Sequence, residues 1–376
     1  MSRETLPDRR TVSAAPVHPH GPSSPNGKAK TLSRKAEHIR INLEEDVSAK
    51  GVDSGFESYR FLHQALPDLD LEEVRTETTV LGRELQAPIL ISCMTGGTPE
   101  AGRINATLAE VARELGLAMG LGSGRALLEH PEVVPSFQVR QRAPQTLLLA
   151  NLGAVQLCRG VRSEQARRLL EMLEADALVL HLNPLQEALQ PEGDTNFGGL
   201  LARIAELCAR LERPVIVKEV GWGLSPEVVR SLFQAGVAAV DVAGAGGTSW
   251  SEVERHRLGE PWRQRVAAAF AGWGIPTAEA LVGARRAAPG QLVFASGGMR
   301  DGVEVAKAVA LGADLVGLAG PFLRAAAQGS GSAEAALELG RELIATLKIA
   351  MFCVGARGLA ELRRTPRLVR QVTECA

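Results

Sequence analysis

The chain has 376 residues, a formal net charge of −1 and one tyrosine among few aromatics. Nearly balanced charge removes the general case for nucleic acid or an acidic membrane surface as a partner, and the length fits one barrel of about 250 residues with additions, or two small domains. Five scattered cysteines (Cys93, Cys158, Cys208, Cys353, Cys375) without a paired CxxC argue against a disulfide frame or zinc knuckle and favour a reducing compartment, with the cytoplasm as the default.

Residues 1–30 are rich in Pro, Ser and His and lack an apolar period, so they read as a disordered extension, with His18 and His20 too isolated for a metal site. They lack the apolar core of a signal peptide, and the best apolar stretch, Val266 to Ala284, is broken by Pro276 and Glu279, so no membrane span is expected. The ordered domain is expected over residues 31–376. Thr31 or Ser33 is placed to cap a short helix, Arg34 to Ile41. The cations clustered there have two readings: a solvated helix face, or an anion clamp over a barrel mouth.

A second helix is expected after Asp53, and Val74 to Gln86 alternates like a hairpin turning at Gly82. From Ala87 onward, apolar strands recur at Pro88–Cys93, Leu117–Gly122, Thr146–Leu152, Ala177–Asn183, Val215–Glu219, Ala238–Ala243, Leu292–Ser296 and Leu315–Ala319. Amphipathic stretches separate them, two opened by the capping signals Ser225-Pro226 and Asp301. Eight such strands alternating with helices predict an α/β fold, a TIM (β/α)8 barrel with N-terminal helical and hairpin additions. An open doubly wound sheet would want a GxGxxG turn after its first strand, and Met94-Thr95-Gly96-Gly97 is not one.

The carboxyl ends of these strands all carry polar groups or glycine turns, where such barrels keep their chemistry. His181 and Asn183 share one strand face, Pro184 stops the ladder, and Gln186 and Glu187 are expected in the loop beyond. The loops Ser296–Arg300 and Ala319-Gly320 follow strands seven and eight, where backbone N–H groups and helix N-termini suit a phosphate. Lys218 ends a buried run and needs a partner or an anion, so it is read as facing a ligand rather than pairing with Glu219. Glu187 has no second carboxylate or histidine at zinc-like spacing; it is either a surface glutamate or a Mg²⁺ ligand beside a phosphorylated substrate. Glu252, Glu254 and His256 are expected in a solvated lid after strand six.

Taken together, Arg34-Lys35 with Glu37-His38-Ile39, Met94-Thr95-Gly96-Gly97, Ser123-Gly124-Arg125, the run His181 to Glu187, Lys218-Glu219-Val220-Gly221, Gly246-Gly247-Thr248-Ser249-Trp250 and Ser296-Gly297-Gly298 resemble the type 2, FMN-dependent isopentenyl-diphosphate delta-isomerases. The resemblance runs from about Arg34 to the last helix. It implies that FMN is held by Cys93, Met94, Thr95, Ser123, Asn151, Lys218, Thr248, Gly297, Gly298, Met299, Arg300, Ala319 and Gly320. Cys93 stands where small residues such as alanine are common, and Met299 replaces a branched residue. The substrate diphosphate would meet Arg34, Lys35, Ser123, Arg125, His181, Asn183 and Gln186, and Glu187 would hold Mg²⁺. His181, Gln186 and Lys218 are the residues implied in catalysis, the first two as orienting groups. The implied reaction interconverts isopentenyl and dimethylallyl diphosphate by an allylic proton shift, with reduced FMN supplying acid and base and NADPH as reductant. The resemblance also implies a homo-oligomer, a tetramer or larger. Two rivals are kept: an FMN-dependent oxidase or dehydrogenase of a small hydroxy acid, which needs a His/Arg pair after strand six that the segment Gly244 to Trp250 lacks, and a flavin-binding barrel without turnover.

Overall fold

A computed structural model describes residues 25–329 and 331–371, so residues 1–24 of the expected extension, and Cys375, lie outside the described residues. The N-terminal helix runs from Pro25 to Glu44 and so begins ahead of the expected cap; proline is well suited to a first helical turn. The helix expected directly after Asp53 does not form. The Asp53 carboxylate accepts the Gly55 N–H at 2.7 Å, and Gly55 turns left-handed at φ +78°, which closes a local turn instead. A short 3₁₀ turn, Phe56–Ser58, then leads into β1 (Tyr59–Phe61).

β2 (Thr78–Val80) and β3 (Arg83–Leu85) form the expected hairpin. Leu81 and Gly82 both have positive φ, the requirement of a two-residue turn matched to strand twist. Its apolar residues Val80, Leu81 and Leu85 pack with Leu90, Leu147 and Leu315 inside the barrel, which closes the end where the strands begin. Arg83 ties the hairpin down by donating to Asp176 at 2.6 Å.

The next eight strands are β4 (Ile89–Ile91), β5 (Ala118–Ser123), β6 (Leu148–Gly153), β7 (Ala177–His181), β8 (Val215–Lys218), β9 (Ala239–Asp241), β10 (Leu292–Ser296) and β11 (Leu315–Leu318). They close a parallel barrel in the order β10-β11-β4-β5-β6-β7-β8-β9, which is the predicted (β/α)8 architecture. β12 (Leu368–Arg370) returns to pair antiparallel with β1. Among the described residues no helix is long and apolar enough to cross a membrane.

Strand alternation sorts the side chains into two cores. Ile89, Ile91, Leu178 and Leu180 face the surrounding helices, while Leu90, Ala177 and Val179 face the barrel axis. Each large aliphatic side chain buried this way stabilises the fold by about 1.5–3 kcal/mol, and a one-residue slip would exchange the two faces. The predicted caps form as expected: Ser225 Oγ accepts the Val228 N–H at 3.3 Å, and Asp301 Oδ1 accepts the Glu304 N–H at 2.9 Å. Register and caps thus fix where each strand ends.

Candidate active site

The inward residues of the barrel change character in one step. Leu90, Ala118, Leu149, Val179, Ile216, Ala239, Phe294 and Leu315 form the apolar layer. Two residues further along, period two brings Ser92, Gly120, Asn151, His181, Lys218, Asp241, Ser296 and Gly317 to the same axis. His181 lies in register with Lys218, and Lys218 with Asp241. Above this layer opens a cavity of about 550 Å³, and every residue expected at the site lines it: Arg34, Lys35, Cys93, Met94, Thr95, Ser123, Arg125, Asn151, His181, Asn183, Gln186, Glu187, Lys218, Thr248, the Gly297–Arg300 loop, Ala319 and Gly320.

The floor favours a neutral imidazole. His181 Nδ1 donates to Asn151 Oδ1 at 2.8 Å, which leaves Nε2 as an acceptor. Burial, then the Lys218 and Lys35 cations, hold its pKa down at about 3. Burial likewise pushes the Cys93 thiol up, so that it stays protonated. Lys218 is buried and gives a hydrogen bond to the Glu219 carbonyl, while the Glu219 side chain turns the opposite way. That carboxylate receives four backbone N–H groups, from Val220, Gly221, Trp222 and Gly223, at 2.6–3.2 Å. Burial nonetheless raises its pKa to about 7. The side-chain pair rejected from the sequence is therefore absent, and the Lys218 ammonium is left beside the cavity.

The mouth is built by the N-terminal helix. Arg34 NH1 donates to Gln190 Oε1 at 3.2 Å, and Lys35 Nζ donates to the Ser123 carbonyl at 3.0 Å. Lys35 also lies 5.2 Å from the centre of the Phe137 ring. Both cations line the cavity together with Arg125, rather than lying on a solvated helix face.

Pro184 does not end regular structure; it opens a short helix, Pro184–Leu189, so Gln186 and Glu187 are helical rather than in a loop. Asn183, Gln186, Glu187 and Gln190 consequently converge at helical spacing. Asn183 Nδ2 donates to Gln186 Oε1 at 3.0 Å and to Glu187 Oε1 at 2.9 Å, while Asn183 Oδ1 is buried without a hydrogen-bond partner. Burial raises the Glu187 pKa, against Asn183, Arg34 and Arg125.

The solvated lid is overturned. Glu252 and Glu254 sit on a helix, Trp250–Arg257, with 2% and 0% exposure. Glu254 Oε1 accepts from His38 Nε2 at 3.1 Å, Gln186 Nε2 at 3.2 Å and Gln190 Nε2 at 2.6 Å, and Oε2 accepts from Arg257. Burial works against its charge, but His38, Arg257 and Gln190 outweigh it and hold the pKa at about 2. Glu254 and Gln190 are thus supports that the sequence reading missed, although Trp250 and Glu254 stand one helical turn apart. Arg324, midway along the helix Gly320–Gln328, is a further missed cation on the cavity wall. Arg300 lines the rim, but its guanidinium is occupied by Glu304 and Glu57.

The glycine loops meet backbone to backbone. A Cβ on Gly297 would stand 2.2 Å from the Gly244 carbonyl oxygen, and one on Gly247 would stand 2.4 Å from the Gly298 nitrogen. Bare backbone of this kind beside two helix N-termini is a cradle for a phosphate. Ser92 Oγ, buried without a hydrogen-bond partner, adds an open polar group to the floor. These features fit a bound flavin phosphate. For a metal, the described residues hold no group of three or more His, Cys, Asp or Glu that could form a cage. A lone carboxylate beside an open amide oxygen fits Mg²⁺, which retains waters and takes oxygens from its substrate.

A closed (β/α)8 barrel with cations at its mouth, a lysine on its floor and glycine loops after its last two strands defines a phosphate-ligand-binding barrel enzyme. The family model described as FMN-dependent dehydrogenase matches residues 194–370. The isopentenyl-diphosphate delta-isomerase of Synechococcus sp. is 56% identical over 331 residues, 88% of this chain and 94% of that protein. The enzyme of that name from Nostoc sp. is 50% identical over 350 residues, 93% and 99% of the two chains. A mandelate oxidase structure shares the fold, with a TM-score of 0.63 at 19% identity, covering 91% of this chain and 99% of that one. The chain belongs to the isopentenyl-diphosphate delta-isomerase family.

The low His181 pKa has a measurable consequence. An unfolded histidine protonates near pH 6.5 whereas this one does not until about pH 3, so the unfolded state binds more protons between those values. His181 therefore leaves stability intact above about pH 6.5 and lowers it as pH falls toward 3. Urea unfolding of the ligand-free protein at pH 7.5 and 5 should show a smaller loss in His181→Gln than in the wild type. Equal losses in the two proteins would contradict a neutral buried imidazole.

Proposed function

We propose that this cavity interconverts isopentenyl diphosphate and dimethylallyl diphosphate by a 1,3-allylic proton shift. The observation that carries the reading is the convergence of Arg34, Lys35 and Arg125 with the carboxylate of Glu187 above a buried lysine and two glycine loops. Arg34, Lys35 and Arg125 would bind the diphosphate, and Glu187, held by Asn183, would hold Mg²⁺, which takes oxygens from a phosphorylated substrate. Cys93, Met94, Thr95, Ser123, Asn151, Lys218, Thr248, the Gly297–Arg300 loop and Ala319-Gly320 hold FMN. Once reduced by NADPH, which is not consumed in each turnover, bound FMN would supply the proton donor and acceptor.

The protein's own groups position the alkene and exclude water. His181 stays neutral and presents an acceptor, and Gln186 is fixed between Asn183 and Glu254, so both orient the substrate rather than titrate. Lys218 favours negative charge on the flavin ring. Four free cysteines among the described residues support a reducing compartment, and we place the protein in the cytoplasm. Exposed Trp262, Val266 and Trp273 support self-association into a homo-oligomer. The hydroxy-acid oxidase reading is disfavoured because His256 and Arg257, which follow β9, do not line the cavity and are engaged by Glu45 and by Glu37, respectively.

The test is an anaerobic assay of the purified protein with FMN, NADPH, Mg²⁺ and isopentenyl diphosphate. Dimethylallyl diphosphate should form only with reduced flavin. Glu187→Gln should raise the Mg²⁺ concentration needed by about 100-fold or more, since even outer-shell changes cost 10–100-fold in metal affinity. A flavin that binds and reduces normally but yields no product would sink the isomerase reading.

A further inference from the structure

Asp194 is a carboxylate to which the resemblance assigns no role, and it is only 4% exposed. It lies in the turn that follows the Pro184–Leu189 helix. Its Oδ2 accepts from Arg125 NH1 at 3.2 Å and from Gln156 Nε2 at 3.2 Å, and its Oδ1 accepts from Arg159. Its backbone N–H does something separate: it donates to Glu187 Oε2 at 2.6 Å. The two oxygens of Glu187 are therefore held by Asn183 on one side and by the main chain of Asp194 on the other.

The position of that N–H is itself fixed. A Cβ on Gly193 would stand 1.9 Å from the Glu187 carbonyl oxygen, so the backbone before Asp194 is seated directly on the Glu187 turn. Gly193 N also donates to the Gln190 carbonyl at 3.1 Å, closing the turn. One residue thus touches the anion-binding arginine with its side chain and the metal-binding carboxylate with its backbone.

We infer that Asp194 is a positioning residue that joins the Arg125 cation and the Glu187 carboxylate into one diphosphate–metal unit. The inference rests on the proposed function. Arginine recognises phosphate through a planar fork whose direction matters as much as its charge. Asp194 and Gln156 fix that direction, and Arg159 offsets the charge of the aspartate, so orienting Arg125 does not cancel it. Because the tie to Glu187 is made by the main chain, changing the side chain separates the two halves of the unit.

The experiment measures inorganic diphosphate binding by calorimetry in the presence of Mg²⁺, on FMN-loaded wild type, Asp194→Asn, Arg125→Gln and the double variant. Mg²⁺ and FMN affinities are measured separately. Asp194→Asn should weaken diphosphate about tenfold, within the usual range of coupling between contacting residues, and leave Mg²⁺ and FMN affinities within about twofold. In the Arg125→Gln background it should have almost no further effect, because Asp194 acts through Arg125. Should Asp194→Asn not fold, Asp194→Glu, which keeps the charge but displaces it, carries the same test. Diphosphate affinity that is unchanged or tighter, a parallel fall in Mg²⁺ affinity, or full additivity with Arg125→Gln would overturn the inference alone. Failure of the wild type to bind diphosphate would overturn the functional reading and this inference with it.

Discussion

Glu254→Ala is expected to unfold at least 3 kcal/mol more easily than the wild type and to lose about 100-fold or more in kcat/KM. The stability part follows from removing a fully buried carboxylate that Arg257 and three side-chain donors share, a class of change that costs about 3–5 kcal/mol. Arg257 would keep Glu192 and Glu37, but His38, Gln186 and Gln190 would lose the oxygen they share. The kinetic part follows from what those residues hold. His38 anchors the clamp helix, Gln190 receives Arg34, and Gln186 belongs to the Asn183–Glu187 group. The loss should therefore fall mainly on KM, since binding geometry rather than the proton transfer is disturbed.

The pH dependence of that support has a definite sign. The folded pKa of Glu254, about 2, lies below the ordinary carboxylate value, so its stabilisation is fully present above about pH 4.5 and is lost as pH falls toward 2. Glu254→Gln should remove this dependence while keeping the side-chain shape. Urea unfolding and initial rates check both parts. An alanine variant with an unchanged unfolding midpoint and turnover within twofold of wild type would show that the shared oxygen carries no weight.

Gly297→Ala is expected to lower FMN affinity by at least about 100-fold, with a stability cost of about 3 kcal/mol. The residue sits at φ +107°, a conformation that strains a side chain even in open space. There is no open space: the new carbon would meet the Gly244 oxygen at 2.2 Å and Thr277 Oγ1 at 2.7 Å. Thr277 donates to the Gly297 carbonyl at 2.7 Å, so the loop cannot move outward without breaking that bond. Overpacking costs about 1–3 kcal/mol, and the strained backbone adds a comparable amount. Displacing the two loops would also misaim the N–H groups proposed to receive the flavin phosphate. Fluorescence titration with FMN measures the effect, and wild-type affinity would refute the cradle assigned to this loop.

The barrel was legible because parallel strands covered on both faces read as unbroken apolar runs, and Val215–Lys218 and Leu292–Ser296 are of that kind. The strand ends were legible because polar residues there interrupt the runs at one level. The misses have a different physics. Pro184 was read as a stop, yet proline at a first helical position also starts a helix, and only the following contacts decide between the two. Glu254 lies in Trp250-Ser251-Glu252-Val253-Glu254-Arg255-His256-Arg257, whose composition suits a solvated surface. Its burial comes from His38, Gln186 and Gln190, from 64 to 216 positions away, which no local pattern encodes. β1 was missed for the same reason, because its partner is β12 at the other end of the chain.

The distance in sequence between His38 and Glu254 also bears on how the protein is assembled. The helix Pro25–Glu44 is synthesised well before its anchors, Ser123, Gln190 and Glu254, which lie 88, 156 and 216 positions later. Contacts so remote cannot form until the intervening chain has collapsed around the sheet. This helix, though made early, is therefore among the last elements to dock, after the barrel that carries its anchors has closed.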